Sequence, residues 1–299
     1  MTLVTDQKLP SLQKLQETLP ADRFVAAEGN ERALNIGVLN LMPTAVCERT
    51  EMQFMRLFAN ARHPVRPVFM YFDRHKSNSN QAHFDEYYKK IADIKESGLD
   101  ALIITGANLE EVAFEDVLYW KEFVEFIDWA REHIPVVIFS CWAMHAALYH
   151  FYGIIPTKHE KKQFGIFEHV VHHESSSPLL IGMDDKVFIP HSRWRGVETK
   201  DIQAHKELEI LIDNAEVGSH LIVGKGGREI YVQGHPEYDR DDIAGEYFRD
   251  KQKGIAINPP KNYFPDNDDT KTAIKSWGAN GQIFYENLID RLASEAAKK

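Results

Sequence analysis

The chain has 299 residues, 43% of them hydrophobic and 27% charged, with a formal net charge of −10. That composition belongs to a globular protein of one large domain or two modest ones, and the acidity excludes a phosphate-neutralising surface as its main business. Two distant cysteines, Cys47 and Cys141, give no disulfide framework, and the sequence has neither a signal-like start nor a run of about 18 apolar residues, so it predicts a cytoplasmic protein with reduced thiols.

Residues 1–31 read as a surface arm with one short helix near Leu12–Leu19. Leu34–Leu41 reads as a first strand closed by Met42-Pro43. Glu48–Asn60 is a helix whose apolar face is Met52, Met55 and Phe58, with Phe54. Val65–Tyr71 is a second strand, and Pro67 places it near a sheet edge. Phe84–Glu96 is predicted helical, Leu99–Ile104 a third strand, and Phe114–Glu132 a long amphipathic helix. Val136–Ser140 is a buried strand and Trp142–Phe151 a helix that Gly153 ends. This alternation of strands and helices predicts an open, mostly parallel sheet with helices on both faces.

After Gly153 short strands are expected at Gly165–Val171, Val187–Pro190, Leu208–Ile212, His220–Val223 and Glu229–Gln233. Gly224-Lys225-Gly226-Gly227 reads as a hairpin turn, because the spacing of a phosphate loop is missing. Asp242–Gln252 is a helix, Asn258–Asp269 a loop, and Ile283–Ala297 a closing helix. No linker divides the chain, so residues 1–299 are read as one domain, with 1–31 an arm and 270–299 a C-terminal helical piece.

Cys141 falls at the corner between a strand and a helix. Such a corner exposes a side chain at the carboxyl end of a parallel sheet, where helix N–H groups can lower a thiol pKa and hold an oxyanion. A lone Cys after a strand also reads as a small buried hydrophobe. Downstream, Gln233-Gly234-His235-Pro236-Glu237 follows a strand. His235 and Glu237 are two apart in extended chain, so both side chains point to one face. A carboxylate beside an imidazole fixes its tautomer and stabilises its cation. With Cys141 upstream, these three residue types make a nucleophile, a general base and an orienter. The histidine pairs His172-His173 and His145/His150 have no closed ligand set at metal spacing, so no metal is expected.

Further stretches carry a family resemblance. They are Asn40-Leu41-Met42-Pro43, Ile104-Thr105-Gly106-Ala107, Tyr119-Trp120, Cys141-Trp142-Ala143, Phe164-Gly165-Ile166-Phe167-Glu168-His169, Pro190-His191-Ser192-Arg193, Gly234-His235-Pro236-Glu237-Tyr238-Asp239, Glu246-Tyr247-Phe248-Arg249-Asp250 and Asn262-Tyr263-Phe264-Pro265. Together they resemble the homoserine O-acyltransferases of methionine biosynthesis, which are built on the class I glutamine amidotransferase-like fold. The resemblance implies that Cys141 carries the acyl group, that His235 is the base and that Glu237 is its partner. It places substrate-binding roles on Lys162, Ser192 and Arg249. It implies acetyl-CoA as co-substrate, no bound cofactor and small-molecule substrates, and it is compatible with a homodimer; the acidity and the lack of a long apolar run predict no nucleic acid and no membrane among the partners.

The chemistry suits these residue types. A Cys141 thiolate attacks a thioester, whose oxyanion rests on N–H groups of Trp142 and of the Gly106–Ala107 turn. The acceptor hydroxyl then attacks the acyl-enzyme, with His235 taking its proton. Arg249 can hold a carboxylate through two parallel bonds. In the resembling family the position of Glu110 separates donors, glycine going with succinyl-CoA and glutamate with acetyl-CoA. The direction is physical: two carboxylates about 4 Å apart repel by roughly 4 kcal/mol at an effective dielectric of about 20.

Two departures widen the reading. The family's Asn-Leu-Met-Pro-Lys-Lys turn reads Asn-Leu-Met-Pro-Thr44-Ala45-Val46-Cys47 here, and its Trp-Arg-Ser-His-x-Asn reads Trp277-Gly278-Ala279-Asn280-Gly281-Gln282. They leave L-serine open as acceptor and succinyl-CoA as donor. Two readings of other kinds stand beside this one: a glutamine-hydrolysing amidotransferase domain, and a regulatory module with Cys141 as a redox sensor.

Overall fold

The computed structural model describes residues 2–4, 8–26, 33–72, 81–109 and 111–297. Among the described residues, the strands form one twelve-stranded mixed sheet. The parallel part holds β1 (Leu3–Val4), β2 (Phe24–Val25), β3 (Leu34–Leu39), β4 (Val65–Tyr71), β5 (Lys89–Lys90), β6 (Ala101–Ile104), β7 (Val136–Ser140) and β12 (Glu229–Val232). An antiparallel extension continues from β12 through β11 (Gly218–Gly224), β10 (Leu208–Asn214), β8 (Thr157–Val171) and β9 (Lys186–Gly196). The order across the sheet is β2-β1-β4-β3-β6-β7-β12-β11-β10-β8-β9, with β5 beside β4.

Strand alternation sends side chains to two cores. Ile36, Val38, Ile103, Ile138 and Ile230 face one side. There they meet α1 (Pro10–Gln16), α2 (Cys47–Ala59) and α9 (Gly278–Ala296). Leu39, Leu102, Val137, Phe139 and Tyr231 face the other, against α4 (Ile91–Ser97), α5 (Trp120–His133) and α6 (Trp142–Tyr152). A third, smaller core packs α8 (Asp242–Gln252) and the chain around Tyr263 and Trp277 onto Phe164 and Ile166 of β8. Among the described residues, no helix is long and apolar enough to cross a membrane.

The described part of the N-terminal segment is packed onto the fold and is not a surface arm. Its helix is Pro10–Gln16, and Leu3, Leu9, Leu12 and Leu15 are buried. Thr2 donates to the Ala59 carbonyl, and Ser11 Oγ donates to the buried carboxylate of Glu51. Glu51 also accepts from Tyr88 Oη at 2.7 Å and lies 2.7 Å from His83 Nε2. Cys47 is buried one helical turn before it. Its sulfur lies within 4.8 Å of the Glu51 and His83 ligand atoms. With three partners Glu51 is satisfied as a buried ion pair should be, and its hydrogen bond lifts the His83 pKa above the ordinary imidazole value.

Other expectations shift for identifiable reasons. The single helix expected at Phe84–Glu96 is split into α3 (Gln81–Tyr87) and α4, because Lys89 and Lys90 pair with Met70 and Tyr71 of β4. Pro67 falls between that short pairing and the Leu3–Val65 pairing on the same flank of β4, where a lost ladder donor costs least. The long helix before Cys141 starts only at Trp120, after a 3₁₀ turn at Phe114–Asp116. Strands β8 and β9 run to 15 and 11 residues, longer than the short strands expected. The closing helix starts earlier, at Gly278.

Candidate active site

Three strand ends build the site. β7 and β12 are parallel neighbours with Ser140 opposite Val232, so the residues that follow them emerge side by side. The Cys141 N–H donates to the Val232 carbonyl at 2.8 Å. Cys141 itself has φ 50 and ψ −110, a conformation that few side-chain-bearing residues adopt, directly before the first turn of α6. The sharp corner turns the thiol out of the strand while leaving it only 8% exposed. Gly106, after β6, closes the other side. A Cβ placed there would stand 3.3 Å from Cys141 Cβ and 3.8 Å from its sulfur. The Gly106–Ala107 turn is held by Thr105, whose hydroxyl accepts from the Leu41 N–H at 2.8 Å and donates to the Gly106 carbonyl at 3.1 Å. Among the described residues, the N–H groups of Gly106, Ala107 and Trp142 have no acceptor. They are free to meet an oxyanion.

His235 and Glu237 leave β12 on the same side. His235 Nδ1 lies 2.8 Å from Glu237 Oε1, and their side chains are 7% and 8% exposed. Burial works against the imidazolium. The charges of Glu237 and the Cys141 sulfur outweigh it and raise the His235 pKa well above the ordinary value. With Nδ1 engaged by Glu237, Nε2 is the nitrogen left for the sulfur and for a substrate proton. The loop is held from behind: His235 N–H donates to the Pro190 carbonyl at 2.9 Å, and Gly234 N–H to His220 Nδ1 at 3.1 Å. Gly234 is needed there, because a Cβ would stand 2.3 Å from Ile189 and 2.9 Å from the Pro190 carbonyl.

Behind this loop lies a group of neutral histidines. Arg193 Nε–H points at His191 Nδ1 (3.4 Å), His191 Nε2 lies 3.2 Å from His169 Nε2, and His169 Nδ1 lies 3.0 Å from the Phe167 carbonyl. These contacts are all satisfied with one proton per ring. Burial holds His169 down to about 4 and His145 down to about 3, and pushes His191 and His220 well below the ordinary value. Arg193 adds to the depression in each.

The predicted substrate residues converge on two acids. Ser192 on β9 donates to Glu246 Oε2. Lys162 on β8 reaches Glu246 Oε2 at 3.3 Å and Asp250 Oδ2 at 3.1 Å, and is only 7% exposed. Arg249 Nε donates to Asp250 Oδ1 at 2.8 Å. The guanidinium stays 46% exposed. Glu246, Arg249 and Asp250 sit at i, i+3 and i+4 on α8, hence on one face. Lys162 is therefore neither a solvated charge nor a wall of the cavity; it neutralises the acids from behind. A cavity of about 90 Å³ lies among Gly106, Asn108, Ser140, His235, Glu237, Tyr238, Glu246 and Arg249. That is well under the roughly 300 Å³ at which drug-sized ligand sites begin, so it suits an acyl group and a small amino acid, with any larger carrier outside. Glu110 lies outside the described residues.

Sequence reasoning missed Glu246 and Tyr238. Glu246 carries four contacts, and Tyr238 stacks on His235 with ring centroids 4.2 Å apart. The only available signal was the one-face spacing of Glu246 with Arg249 and Asp250.

Sheet order and a cysteine corner beside a His-Glu strand end define a protein of the class I glutamine amidotransferase-like fold. Solved structures agree: a glutamine amidotransferase from Thermotoga maritima matches 87% of this chain and 98% of its own with a TM-score of 0.52 at 11% identity. Another, from Methylobacillus flagellatus, matches 88% and 94% with a TM-score of 0.51 at 12% identity. The sequence model of the homoserine O-succinyltransferase family matches residues 2–297. A homoserine O-succinyltransferase of Pseudoalteromonas translucida (strain TAC 125) is 38% identical over 97% of this chain and 92% of its own length. A homoserine O-acetyltransferase of Azobacteroides pseudotrichonymphae genomovar. CFP2 is 38% identical over 99% and 94%. The chain belongs to the homoserine O-succinyltransferase family of acyltransferases.

Proposed function

We propose that this protein moves an acetyl group from acetyl-CoA, through a thioester on Cys141, to the side-chain hydroxyl of L-homoserine, a step of methionine biosynthesis. The observation that carries the reading is one cavity, lined beside the Cys141 corner by Gly106, Ser140, His235 and Glu237 and on its other side by Glu246 and Arg249 of α8. The Cys141 sulfur adds to the thioester carbonyl, and the oxyanion is met by the N–H groups of Trp142 and the Gly106–Ala107 turn. Collapse releases CoA, whose sulfur takes the proton held by His235. The acceptor hydroxyl, deprotonated by His235 Nε2, adds to the enzyme thioester. Collapse returns the thiol and frees the O-acyl amino acid. Arg249 receives the acceptor's carboxylate and Glu246 its ammonium group, while Ser192 and Lys162 fix Glu246.

The relatives divide between acetyl- and succinyltransferases by name, so the choice of acetyl rests on Glu110. Intact-protein mass spectrometry after exposure to acetyl-CoA, succinyl-CoA or glutamine alone tests the first half-reaction. An acetyl adduct on Cys141 is expected; a faster succinyl adduct overturns the donor, and glutamine hydrolysis overturns the acyltransferase reading of the site. A panel of L-homoserine, L-serine and L-threonine then tests the acceptor, with L-serine the alternative.

Arg249→Lys replaces a planar fork by a point charge. It should lower kcat/KM for the amino acid by about tenfold or more while leaving acylation in the absence of acceptor nearly unchanged. Slowed acylation with a normal response to acceptor would place Arg249 on the CoA side.

A further inference from the structure

We propose that Tyr238 is a positioning residue that couples the two halves of the site, holding the imidazole of His235 with its ring and the carboxylate of Glu246 with its hydroxyl. The inference rests on the acyl-transfer reading above, which assigns proton transfer to His235 and the ammonium group of the acceptor to Glu246.

The geometry is that of a rigid strut. Tyr238 follows His235 by three residues in a turn closed by its own N–H on the His235 carbonyl at 3.2 Å. Trp277 Nε1–H holds the Tyr238 carbonyl at 2.9 Å from the other side. The start of α9 presses on the same turn: a Cβ on Gly281 would stand 2.5 Å from the Pro236 carbonyl. The backbone is thus fixed, and only two side-chain torsions remain. They place the phenol ring against the imidazole, 4.2 Å between centroids and 13° from parallel. The same ring delivers its hydroxyl to Glu246 Oε1 at 3.1 Å. The other oxygen, Oε2, takes Ser192 and Lys162.

Each end has a chemical reason. An aromatic face attracts a cation, so the stack favours the imidazolium that His235 becomes when it takes a proton. It also denies the ring a rotation that would swing Nε2 away from Cys141. Burial and the nearby Glu246 and Glu237 charges keep the phenol pKa well above 10, so Tyr238 remains a hydrogen donor to Glu246. In the second half-reaction an amino acid must meet Glu246 with its ammonium group and His235 with its hydroxyl. Tyr238 sets the separation of those two contacts. Small errors in such a separation cost rate steeply, since the reacting atoms must approach within about 3–3.5 Å.

Two variants divide the two ends. Tyr238→Phe keeps the ring and loses the hydroxyl. It should form acyl-enzyme at the wild-type rate and with the wild-type pH profile, yet lose about tenfold in kcat/KM for the amino acid, the scale of one hydrogen bond to a charged group. Tyr238→Leu loses both ends. It should also acylate about tenfold more slowly, with the pH limb of His235 displaced to lower pH because the face that favoured the cation is gone. Restoration of that limb by phenylalanine is the signature that mere structural damage does not produce. Thermal melting is recorded for both. If the leucine variant melts below the assay temperature, Tyr238→Phe combined with Glu246→Gln decides: coupling predicts that the double variant handles the acceptor no worse than Glu246→Gln alone, and additive losses overturn it. Equal acylation defects in the phenylalanine and leucine variants, or a leucine variant with the wild-type limb, also overturn the proposal. A wild-type protein that forms no acyl-enzyme from any acyl-CoA would instead remove the reading beneath it.

Discussion

Cys141→Ala should form no acyl-enzyme and should turn over about 10⁴- to 10⁶-fold more slowly than the wild type, the range seen when a covalent nucleophile is removed from an intact site. Cys141→Ser should fare little better, because a serine hydroxyl at neutral pH lacks the nucleophilicity of a thiolate. Neither change should matter much to stability. The side chain is 8% exposed at the head of α6, and alanine keeps the Cβ and therefore the same backbone demand at φ 50. The measurements are steady-state turnover, the intact mass after acyl-CoA and the melting temperature. Near-normal turnover by the alanine variant would rule out covalent catalysis at this residue. A melting temperature lowered by many degrees would mean that Sγ is a packing element rather than an idle passenger in the fold.

The second large effect is on stability against acid. His145, His169, His191 and His220 are neutral in the fold, their pKa values lowered chiefly by burial. The unfolded chain takes up their protons near pH 6.5, so below that pH it binds more protons than the folded state, and stability falls with pH. At pH 5.5 each such histidine costs about 1.4 kcal/mol, or roughly 5 kcal/mol for the group, against a total of about 5–15 kcal/mol for ordinary proteins. For a chain of this length that is a drop of about 8 °C in Tm between pH 7.5 and 5.5. His235 acts in the opposite sense. Its raised pKa contributes stability that is complete below about pH 6.5 and is lost as pH rises through the folded value. A Tm that stays level from pH 7.5 to 5.5 would contradict the neutral cluster, and His169→Gln should flatten the acid limb.

Much of this was legible from the chain because some segments state their surroundings locally. Val65–Tyr71, Val136–Ser140 and Asp242–Gln252 end where their apolar patterns end. Cys141 was readable because strand, cysteine and helix follow one another directly. What could not be read depends on partners distant in sequence. Lys89-Lys90 looks like the exposed face of a helix and becomes a strand only because β4 has an open flank. Thr157–Gln163 is too charged to read as a strand, yet part of it pairs with β9 and Lys162 is buried against two acids. Arg193 is buried with its guanidinium against His191 and His159, a setting no local pattern announces. The burial of the N-terminal leucines has no local signal, because the Glu51 carboxylate that anchors Ser11 lies 40 residues away.

The sheet divides its labour in a way that bears on how such an enzyme changes substrate. The thiol corner, its N–H groups and the His-Glu strand end belong to β6, β7 and β12, all in the parallel part. Ser192 and Lys162 stand on the antiparallel hairpin β8–β9, and Glu246, Arg249 and Asp250 on α8, which packs onto that hairpin. On the proposed reading, acyl chemistry and amino-acid recognition are carried on separate pieces of chain, joined at Tyr238. A lineage can remodel the hairpin and α8 through successive acceptors without passing through a form whose nucleophile is broken. A laboratory library can follow the same route, randomising positions 192 and 246 and selecting for product while acyl-enzyme formation serves as an internal control.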